Sequence, residues 1–487
     1  MQQYALILLC CVWFSGFWPL AAQNLWNRSY GNGYTDGGTS VLVTPDQHIL
    51  AIGTSTQEET RIQWLKTDSF GEMVARKFFG GPGITWANDA ALFPADSGVV
   101  VCGSRFVDGP QQYDQYVARL NALGDTLWTR SFGGEDWDVA HWISVDSLGF
   151  IHVAGQGFST LTGLGEAIWT VFSPDGTLLI QKIWSVPNAN LNPIHAMALP
   201  EGGWLLGGEV SPGPAGGQDI WAVKLDSALH ILWSRSYGTP GEDRLGNVSI
   251  YRNSANAITY TLGGDYSLPG QTQGFMFLQR IATSGDSILR VDAAQGGGLL
   301  FSRKKCRHVY KGVDGVYSVM CQSSNSDESQ SWNVEFSQTS FLFWQSGQIL
   351  FVGSQYKAAD FVPWPSGGFV LTGETDFYGP GVRALFLSKV GPGGEGANAV
   401  VVGQDEQDSD ILLPYPNPTT SAILIQTEAQ IDWQTFDLTG RLVHPHYAWD
   451  GTAWKLQFDG LPVGWYRVTG RAGDGRRFSF GVLFQGN

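Results

Sequence analysis

The sequence predicts an all-β protein, in which a β-propeller of about seven four-stranded blades precedes a small C-terminal β-sandwich. Three observations support this prediction: a repeat of about 50 residues, strand-like patterns within the copies, and an unusual composition. The 487 residues include 63 Gly, 20 Trp and 27 Phe, and only 15% of them are charged. Glycine and aromatic residues favour tight turns and short strands over helices.

Two sequence elements define the repeat. The first carries a tryptophan and reads LWNRSYG at residues 25–31, LWTRSFG at 127–133 and LWSRSYG at 232–238, with weaker copies at 75–80 and 182–184. The second is an apolar strand ending in glycine, found at 49–53, 99–103, 151–155, 204–207 and 369–373, more faintly at 258–263 and in degenerate form at 316–321. These copies predict seven blades, with six or eight as alternatives because residues 289–350 fit the repeat poorly.

A third element alternates apolar and polar residues, as at 62–66 and 116–120, and leads into turns such as SPDG at 173–176. Each repeat therefore supplies about four short strands, which is one blade. The tryptophan is expected to pack between blades. Because the first copy begins with the Trp-bearing strand and the last ends at 384–389, residues 25–30 are expected to pair with 384–389. This pairing would close the ring and remove an exposed sheet edge.

The chain is expected to divide into four segments. Residues 1–22 are interpreted as a signal peptide, because 4–18 are apolar and Ala21 and Ala22 offer a cleavage site. A membrane anchor is the alternative, although the apolar run is short for a span; no transmembrane segment is expected in the mature chain. Residues 23–390 are assigned to the propeller, 391–410 to a flexible linker rich in glycine and acidic residues, and 411–487 to the sandwich.

The net charge of −15 argues against nucleic acid as a partner, because phosphate backbones bind clustered Lys and Arg. The one dense basic run, Arg303 to Arg307, is interpreted as a solvated loop. Cys102 is expected to be a small buried residue, whereas Cys306 and Cys321 could form a disulfide or remain thiols. The scattered histidines and cysteines lack the spacing of a metal site, so neither a metal nor another cofactor is expected.

Three motifs follow one another in about the last 75 residues. They are Pro416-Asn417-Pro418, then Asp437, Gly440 and Arg441, and finally Leu461, Pro462, Gly464 and Tyr466. In order and spacing they resemble the C-terminal sorting domain of cargo of the type IX (Por) secretion system of Gram-negative bacteria. The resemblance implies periplasmic export, recognition of this domain by the type IX machinery, and release or attachment at the outer-membrane surface. The central repeats more loosely resemble bacterial secreted β-propeller repeats, which implies a fold and no activity.

Two residue sets are candidates for binding an extracellular ligand. Acidic residues follow the Tyr/Phe-Gly block, namely Asp36, Asp89, Asp138 and Asp243. They could bind a cation or polar ligand at one mouth of the channel, but Asp also commonly caps turns, and recurrence in several blades favours that structural role. Tryptophans on the same loops could form a platform for sugar rings or could pack between blades; these are Trp86, Trp137 and Trp142.

Three functions remain open at this stage. A binding or adhesion protein for a polysaccharide, protein or matrix component is favoured, because the chain lacks serine-hydrolase, zinc-protease and phosphate-loop motifs; catalytic residues are therefore not assigned. A secreted glycan hydrolase or lyase using acidic residues at the channel mouth is the alternative, although nothing in the sequence pairs two carboxylates. A passive scaffold of the envelope is the third.

Overall fold

The computed structural model describes most of the chain after the leader. The described residues are 25–31, 33–107, 112–134, 136–252, 257–271, 274–292, 303–311, 317–324, 333–339, 348–351, 356–375, 383–392, 421–426, 430–437, 441–472 and 477–484. Between residues 303 and 356 the description is mostly of the backbone.

Seven four-stranded antiparallel sheets form the central part of the chain, and each is one blade. In six of them the four strands are consecutive in the chain. Blade 1 comprises Thr35–Val43, Ile49–Thr56, Thr60–Thr67 and Met73–Phe79; blade 2, Thr85–Phe93, Gly98–Phe106, Tyr113–Leu120 and Thr126–Phe132; blade 3, Val139–Val145, Ile151–Phe158, Gly165–Phe172 and Leu178–Trp184. Blade 4 comprises Asn190–Ala198, Trp204–Ser211, Asp219–Leu225 and Ile231–Tyr237; blade 5, Glu242–Arg252, Ile258–Ser267, Gly274–Ala282 and Ser287–Asp292; blade 6, Arg303–Lys311, Tyr317–Ser324, Asn333–Thr339 and Gln348–Phe351.

Blade 7 is assembled from both ends of the repeat region. Its first three strands are Tyr356–Pro363, Phe369–Thr375 and Ala384–Val390, and its fourth is the N-terminal strand Trp26–Tyr30. Trp26 lies opposite Lys389, and Tyr30 lies opposite Leu385. The predicted closing pair and the count of seven blades are confirmed. The closure hydrogen-bonds two strands that would otherwise be open sheet edges.

The first strands of the blades form the inner ring. Each contacts the first strand of the next blade, from blade 1 round to blade 7 and back to blade 1. Every first strand also carries a β-bulge, where one extra residue interrupts its register with the second strand. A bulge bends and twists a strand. Because the bulge recurs in all seven first strands, the residues at the bulges form one layer of the inner ring.

The second strands are apolar on both faces because each is covered by two blades. Val99 and Val101 of blade 2 pack in the core shared with blade 1. Their neighbours Val100 and Cys102 pack in the core shared with blade 3. All four side chains are fully buried, which confirms the buried position expected for Cys102. This two-sided burial explains why the Gly-ending element is a continuous apolar run rather than an alternating one.

The tryptophan of the repeat block joins one blade to the next. Trp26 donates its indole N–H to the Ser69 carbonyl oxygen at 3.1 Å, in the turn between the third and fourth strands of blade 1. Tyr30 donates its hydroxyl to the Gly71 carbonyl oxygen of the same turn at 2.5 Å. Arg28 pairs with Glu72 at 2.6 Å. The Trp-x-Arg-x-Tyr spacing therefore aligns three alternate side chains with one neighbouring turn, as the period of a strand requires.

The same contact recurs where the block recurs. Trp128 donates to the Pro174 carbonyl oxygen at 3.0 Å, and Trp233 donates to the Thr283 carbonyl oxygen at 2.9 Å. We call this contact the tryptophan latch. Blade 1 has Ala75 in place of the tryptophan, and there the turn glycine Gly124 packs against Trp64 of the third strand instead. The predicted packing of the tryptophan between blades is confirmed.

The C-terminal strands form two small sheets that share one core. One sheet contains Ala422–Gln426, Ala453–Gln457 and His446–Trp449; the other contains Leu442–Val443, Ile431–Asp437, Gly464–Ala472 and Arg477–Phe484. Ile423 and Leu456 of the first sheet pack with Trp433 and Val468 of the second. Two sheets facing across a common core form a sandwich, as predicted.

The basic run was wrongly expected to be a loop. Arg303 begins the first strand of blade 6, and Cys306 lies opposite Cys321 in its second strand. Pairing in the sheet overrides the polar composition of this segment. The side chains of the two cysteines, and residues 1–22, lie outside the described part of the chain. Within that part, no helix has the length and apolarity needed to cross a membrane.

The latch predicts that Gly71 cannot be replaced without loss of stability. Gly71 has φ of +78°, and a Cβ there would lie 2.8 Å from Arg28 Cδ and 2.9 Å from the Trp26 ring. Gly71→Ala should therefore lower the urea midpoint, with a clash costing about 1–3 kcal/mol beyond the backbone term.

The matched control is Gly270→Ala. Gly270 has φ of +72° and no heavy atom within 4 Å of its Cβ position, so it carries the backbone strain without the clash. The urea unfolding of both variants is monitored by tryptophan fluorescence. Equal urea midpoints for Gly71→Ala and Gly270→Ala would contradict the latch.

Candidate functional site

The ring has two faces, which the direction of the strands defines. Inner strands begin at one face, where the turns between second and third strands also lie. We call it the entry face. The opposite face carries the turns between third and fourth strands, such as the Asp68–Gly71 turn. Trp86, Trp137 and three of the four predicted acidic residues lie at the entry face, at or just before the start of an inner strand.

Two of the predicted acidic residues cap the turn that enters an inner strand. Asp138 Oδ2 accepts the Gly134 N–H at 2.7 Å, and Asp243 Oδ2 accepts the Thr239 N–H at 2.7 Å. Asp36 occupies the corresponding place in blade 1 and pairs with Arg76 at 3.2 Å. The backbone N–H groups of all three donate to a carbonyl oxygen at, or one residue before, the start of the third strand of the preceding blade. The geometry matches the turn-capping role that recurrence favoured.

The fourth, Asp89, lies deeper, at the bulge of blade 2. Its Oδ1 accepts the Ala90 N–H at 2.7 Å and lies 3.3 Å from the Ser40 hydroxyl, while its Oδ2 accepts the Ile143 N–H at 3.1 Å. Asp89 thus joins blades 1, 2 and 3. Burial and the nearby Asp360 carboxylate raise the pKa of Asp89 to about 7.

Asp89 belongs to a collar made of the residue that follows each bulge. The collar residues are Ser40, Asp89, Trp142, His195, Asn247, His308 and Asp360. Asp360 accepts the Val41 N–H at 2.9 Å. Asn247 bonds both backbone groups of Val309, each at 2.9 Å. Asp89, Asn247 and Asp360 of the collar therefore each bond the backbone of the next blade's inner strand.

Two of the predicted tryptophans form an aromatic row at the entry face. The row consists of Trp86, Tyr113 and Trp137, and the Tyr113 ring lies between the two indoles at centroid distances of 4.7 and 4.9 Å. Phe106 contacts the Tyr113 ring edge-on at 5.3 Å. The Asp138 N–H donates to the Tyr113 carbonyl oxygen at 2.7 Å, which holds Trp137 beside Tyr113. Trp137 is 44% exposed.

Trp142 does not join this row. It lies in the collar, is buried, and packs between blades 3 and 4 against Trp169 and Trp204 at centroid distances of 5.5 and 5.7 Å. Its surroundings are therefore those of a core residue.

A polar cluster that the sequence did not reveal lies between blades 4 and 5. Glu209 accepts the Asn192 amide N–H at 3.3 Å and the Leu245 N–H at 3.3 Å. Arg244 lies 3.8 Å from Asp265, which is buried. Burial raises the pKa of Glu209 to about 7, and Asp265 adds to the rise. Glu209 and Asp265 occupy equivalent second-strand positions in neighbouring blades, a relation that only a blade-by-blade alignment could have exposed.

Across the described ranges, no group of three or more His, Cys, Asp or Glu side chains is placed to hold a metal ion.

The sorting-motif residues are described in part. Pro416, Asn417, Pro418 and Gly440 lie outside the described residues, as does the side chain of Asp437. Arg441 is exposed, Gly464 begins a strand, and Leu461 bonds the Phe458 carbonyl oxygen through its N–H at 3.0 Å. Tyr466 is buried and donates its hydroxyl to the Pro462 carbonyl oxygen at 2.5 Å. The Leu-Pro-x-Gly-x-Tyr segment is thus a turn fixed by its own tyrosine.

Comparison with known families decides the nature of this domain. Residues 414–478 match the model of the secretion system C-terminal sorting domain. The C-terminal sandwich is a type IX sorting domain. The sorting domain marks the chain for export by the type IX machinery, to be secreted or attached at the outer-membrane surface. No curated protein sequence matches the chain.

Solved structures resemble the chain at low identity. A Dyadobacter fermentans protein of unknown function has 10% identity and a TM-score of 0.42, covering 64% of this chain and 97% of its own. Puromycin hydrolase has 11% identity and a TM-score of 0.49, covering 80% of this chain, which spans 58% of the hydrolase. The α-L-arabinofuranosidase Arb93A of Fusarium graminearum has 11% identity and a TM-score of 0.41, covering 75% and 97%. These likenesses carry no information about activity.

Asp89 predicts a pH-dependent stability. Its pKa is about 7 in the folded chain and near 4 when unfolded, so the folded state binds the proton more tightly. The stability that Asp89 contributes should be fully present below pH 4 and lost as the pH rises through 7. The difference in unfolding free energy between the wild type and Asp89→Asn should fall over that range by a few kcal/mol, at about 1.4 kcal/mol per pKa unit.

The comparison variant is Asp96→Asn, because the Arg119 side chain bonds Asp96 and helps lower its pKa. Its contribution should change in the opposite direction, being lost as the pH falls. Parallel pH profiles for the two variants in urea titrations would contradict the assignment for Asp89.

Proposed function

We propose that this exported propeller binds glycan chains through the aromatic row of its entry face. The supporting observation is the row itself, in which rings from blades 2 and 3 are in continuous contact and end in the exposed Trp137. An exposed indole offers a flat apolar face, which suits the C–H face of a sugar ring. The Tyr113 ring packs against the Trp137 indole, and Trp86 packs against Tyr113 in turn. These contacts order the Trp137 indole before a ligand binds.

The charge around the row favours a neutral or cationic glycan. Asp114, Asp136 and Asp138 lie close to Trp137, and burial, together with the Asp114 and Asp136 carboxylates, raises the pKa of Asp138 to about 6. The chain as a whole carries a net charge of −15. A polyanionic chain would be repelled from this face at neutral pH, whereas carboxylates readily accept hydrogen bonds from sugar hydroxyls.

Delivery and scaffold fit this role. The type IX sorting domain directs the protein out of the cell, so a ligand of the propeller is expected among extracellular molecules such as polysaccharides. A closed ring holds aromatic rings from two blades in a fixed relation, which lowers the entropic cost of binding.

Trp137→Ala should abolish most glycan binding while leaving the fold intact. Loss of the terminal stacking face should weaken binding at least about tenfold, equivalent to about 1.4 kcal/mol. A glycan array identifies the ligand, and calorimetry on the full chain then compares variants.

The control is Phe70→Ala, because Phe70 is 51% exposed in a turn on the opposite face. Binding that survives Trp137→Ala, or that is lost equally in Phe70→Ala, would contradict the proposed platform.

A second candidate function is glycan hydrolysis, and the Glu209 cluster favours it. Glycosidases use a protonated carboxyl group beside an ionised one. Glu209, with a pKa of about 7, has the properties of the acid, and Asp265, facing Arg244 at 3.8 Å, has those of the carboxylate. Neither Asp138 nor Asp243 suits this role as well, because both cap turns.

If hydrolysis occurs, Glu209→Gln should lower kcat on the hydrolysed polysaccharide by about 100-fold or more. Wild-type activity should decline as the pH rises above 7, because Glu209 must be protonated to act as the acid. Glu201→Gln is the control, since Glu201 pairs with Lys224 at 2.9 Å on the opposite face. Reducing-sugar release that is unaffected by Glu209→Gln would exclude this mechanism.

A further inference from the structure

The junction of blades 4 and 5 contains two buried carboxylates at the entry face. Asp219 begins the third strand of blade 4, and Asp243 is the second residue of the first strand of blade 5. The Asp243 N–H donates to the carbonyl oxygen of Gln218, the residue before Asp219, at 2.7 Å. The two side chains are 1% and 0% exposed. Burial raises the pKa of Asp219, and the nearby Asp243 carboxylate adds to the rise.

Each carboxylate has one oxygen satisfied and one without a hydrogen bond. Asp219 Oδ2 accepts the Ala215 N–H at 2.7 Å, and Asp243 Oδ2 accepts both the N–H and the hydroxyl of Thr239. No hydrogen-bond donor among the described residues reaches Oδ1 of either aspartate. A buried carboxylate oxygen without a donor is costly, so this arrangement calls for a positive charge at the two Oδ1 atoms.

Arg290 supplies that charge only in part. Its Nη1 is 3.6 Å from Asp243 Oδ1, which is longer than a hydrogen bond. The same guanidinium bonds Asp292 through Nε at 2.9 Å and lies over the Phe277 ring at 4.2 Å. Arg290 is therefore held by Asp292 and the ring, and within the described part of the chain no Lys, Arg or His side chain pairs with Asp219.

Two glycine-rich loops cover the carboxylates. Residues 212–218 of blade 4 fold over Asp219 and pack against residues 238–241, which lead into blade 5. A Cβ at Gly238 would lie 2.0 Å from Asp219 Oδ1, and a Cβ at Gly213 would lie 2.4 Å from Asp219 Oδ2. Only glycine lets both loops approach the carboxylate so closely. The loops carry backbone carbonyl groups, among them those of Pro240 and Gly241, which lie against Gly216 and Gly217. Carbonyl oxygens are ligands for hard cations.

We infer that Asp219 and Asp243 bind a calcium ion that ties blade 4 to blade 5. The carboxylates supply two oxygen ligands, and the loop carbonyls and water complete the shell, as Ca²⁺ accepts six to eight oxygens. The site has two acidic side chains and therefore differs from a metal site built from three or more His, Cys, Asp or Glu side chains. An affinity of about 10⁻⁴–10⁻³ M is expected, as in extracellular modules that meet abundant calcium.

The junction of blades 2 and 3 provides an internal comparison. Asp114 and Asp138 occupy the positions of Asp219 and Asp243 there, but Asp114 Oδ2 is 3.3 Å from the Ser131 hydroxyl and Asp114 is partly exposed. Water can solvate that carboxylate, so it does not require a bound cation.

The test measures thermal unfolding of the full chain in EDTA and in about 5 mM Ca²⁺. Calcium should raise the melting temperature of the wild type by about 2–4 °C through mass action. Asp219→Asn, which keeps the side-chain shape and an acceptor for Ala215, should remove the effect. Asp114→Asn should retain it.

Terbium luminescence supplies a second readout that does not depend on stability. Tb³⁺ replaces Ca²⁺, and Trp221 lies two residues from Asp219 on the same face of its strand, where it can sensitise the ion. Asp219→Asn and Asp243→Asn should each weaken Tb³⁺ binding at least about tenfold.

Two results would overturn the inference. One is a wild-type melting temperature that is the same in EDTA and in calcium, which would mean that a proton or Arg290 neutralises the pair. The other is loss of Tb³⁺ emission in Asp114→Asn as large as in Asp219→Asn, which would place the ion elsewhere.

Discussion

The pairing of Trp26–Tyr30 with Ala384–Val390 is the constraint on which the ring depends. Each blade buries both faces only if it has a neighbour on each side, so an open arc would expose the core surfaces of its two end blades. Closing the ring with a strand from the other end of the repeat region removes both open surfaces in one step. The core around Trp26 and Leu387 then continues into blade 1 through Val41 and Leu65.

The tryptophan latch and the collar hold neighbouring blades together at two radii. The latch acts at the outer strand, where one indole spans to the next blade's turn. The collar acts at the inner strand, where carboxylate and amide oxygens accept backbone N–H groups across the junction. Both devices use side chains to satisfy the backbone of another blade, which ties the local geometry of each repeat to its neighbours.

The features that distinguish this propeller arise where the repeat is broken. Tyr113 and Trp137 meet only because blades 2 and 3 carry aromatic residues at adjoining positions of one junction. Glu209 and Asp265 lie at a different junction, between blades 4 and 5. Asp219 has an acidic equivalent in Asp114 of blade 2, but Asp219 is buried and Asp114 is partly exposed. A repeated scaffold thus presents unlike chemistry on neighbouring segments of one face, while the sorting domain determines where that face is displayed.

Sequence alone indicated the propeller, the closing strand and the sorting domain, because each depends on local patterns. The count of seven blades was favoured by the sequence and was decided by the structure. The Gly-ending strand, the Trp block and the Pro-Asn-Pro motif are recognisable from consecutive residues, without knowledge of their neighbours in the folded structure. Asp36, Asp138 and Asp243 each stand five residues after the glycine of the block, whereas Asp89 stands nine residues after Gly80. The spacing therefore sets Asp89 apart, but sequence alone could not show that this difference places it at the bulge. A single extra residue at each bulge changes which side chains turn towards the next blade. Only the tertiary structure brought Tyr113 between two tryptophans and Asp219 beside Asp243, since those partners are distant in sequence and meet across blade junctions.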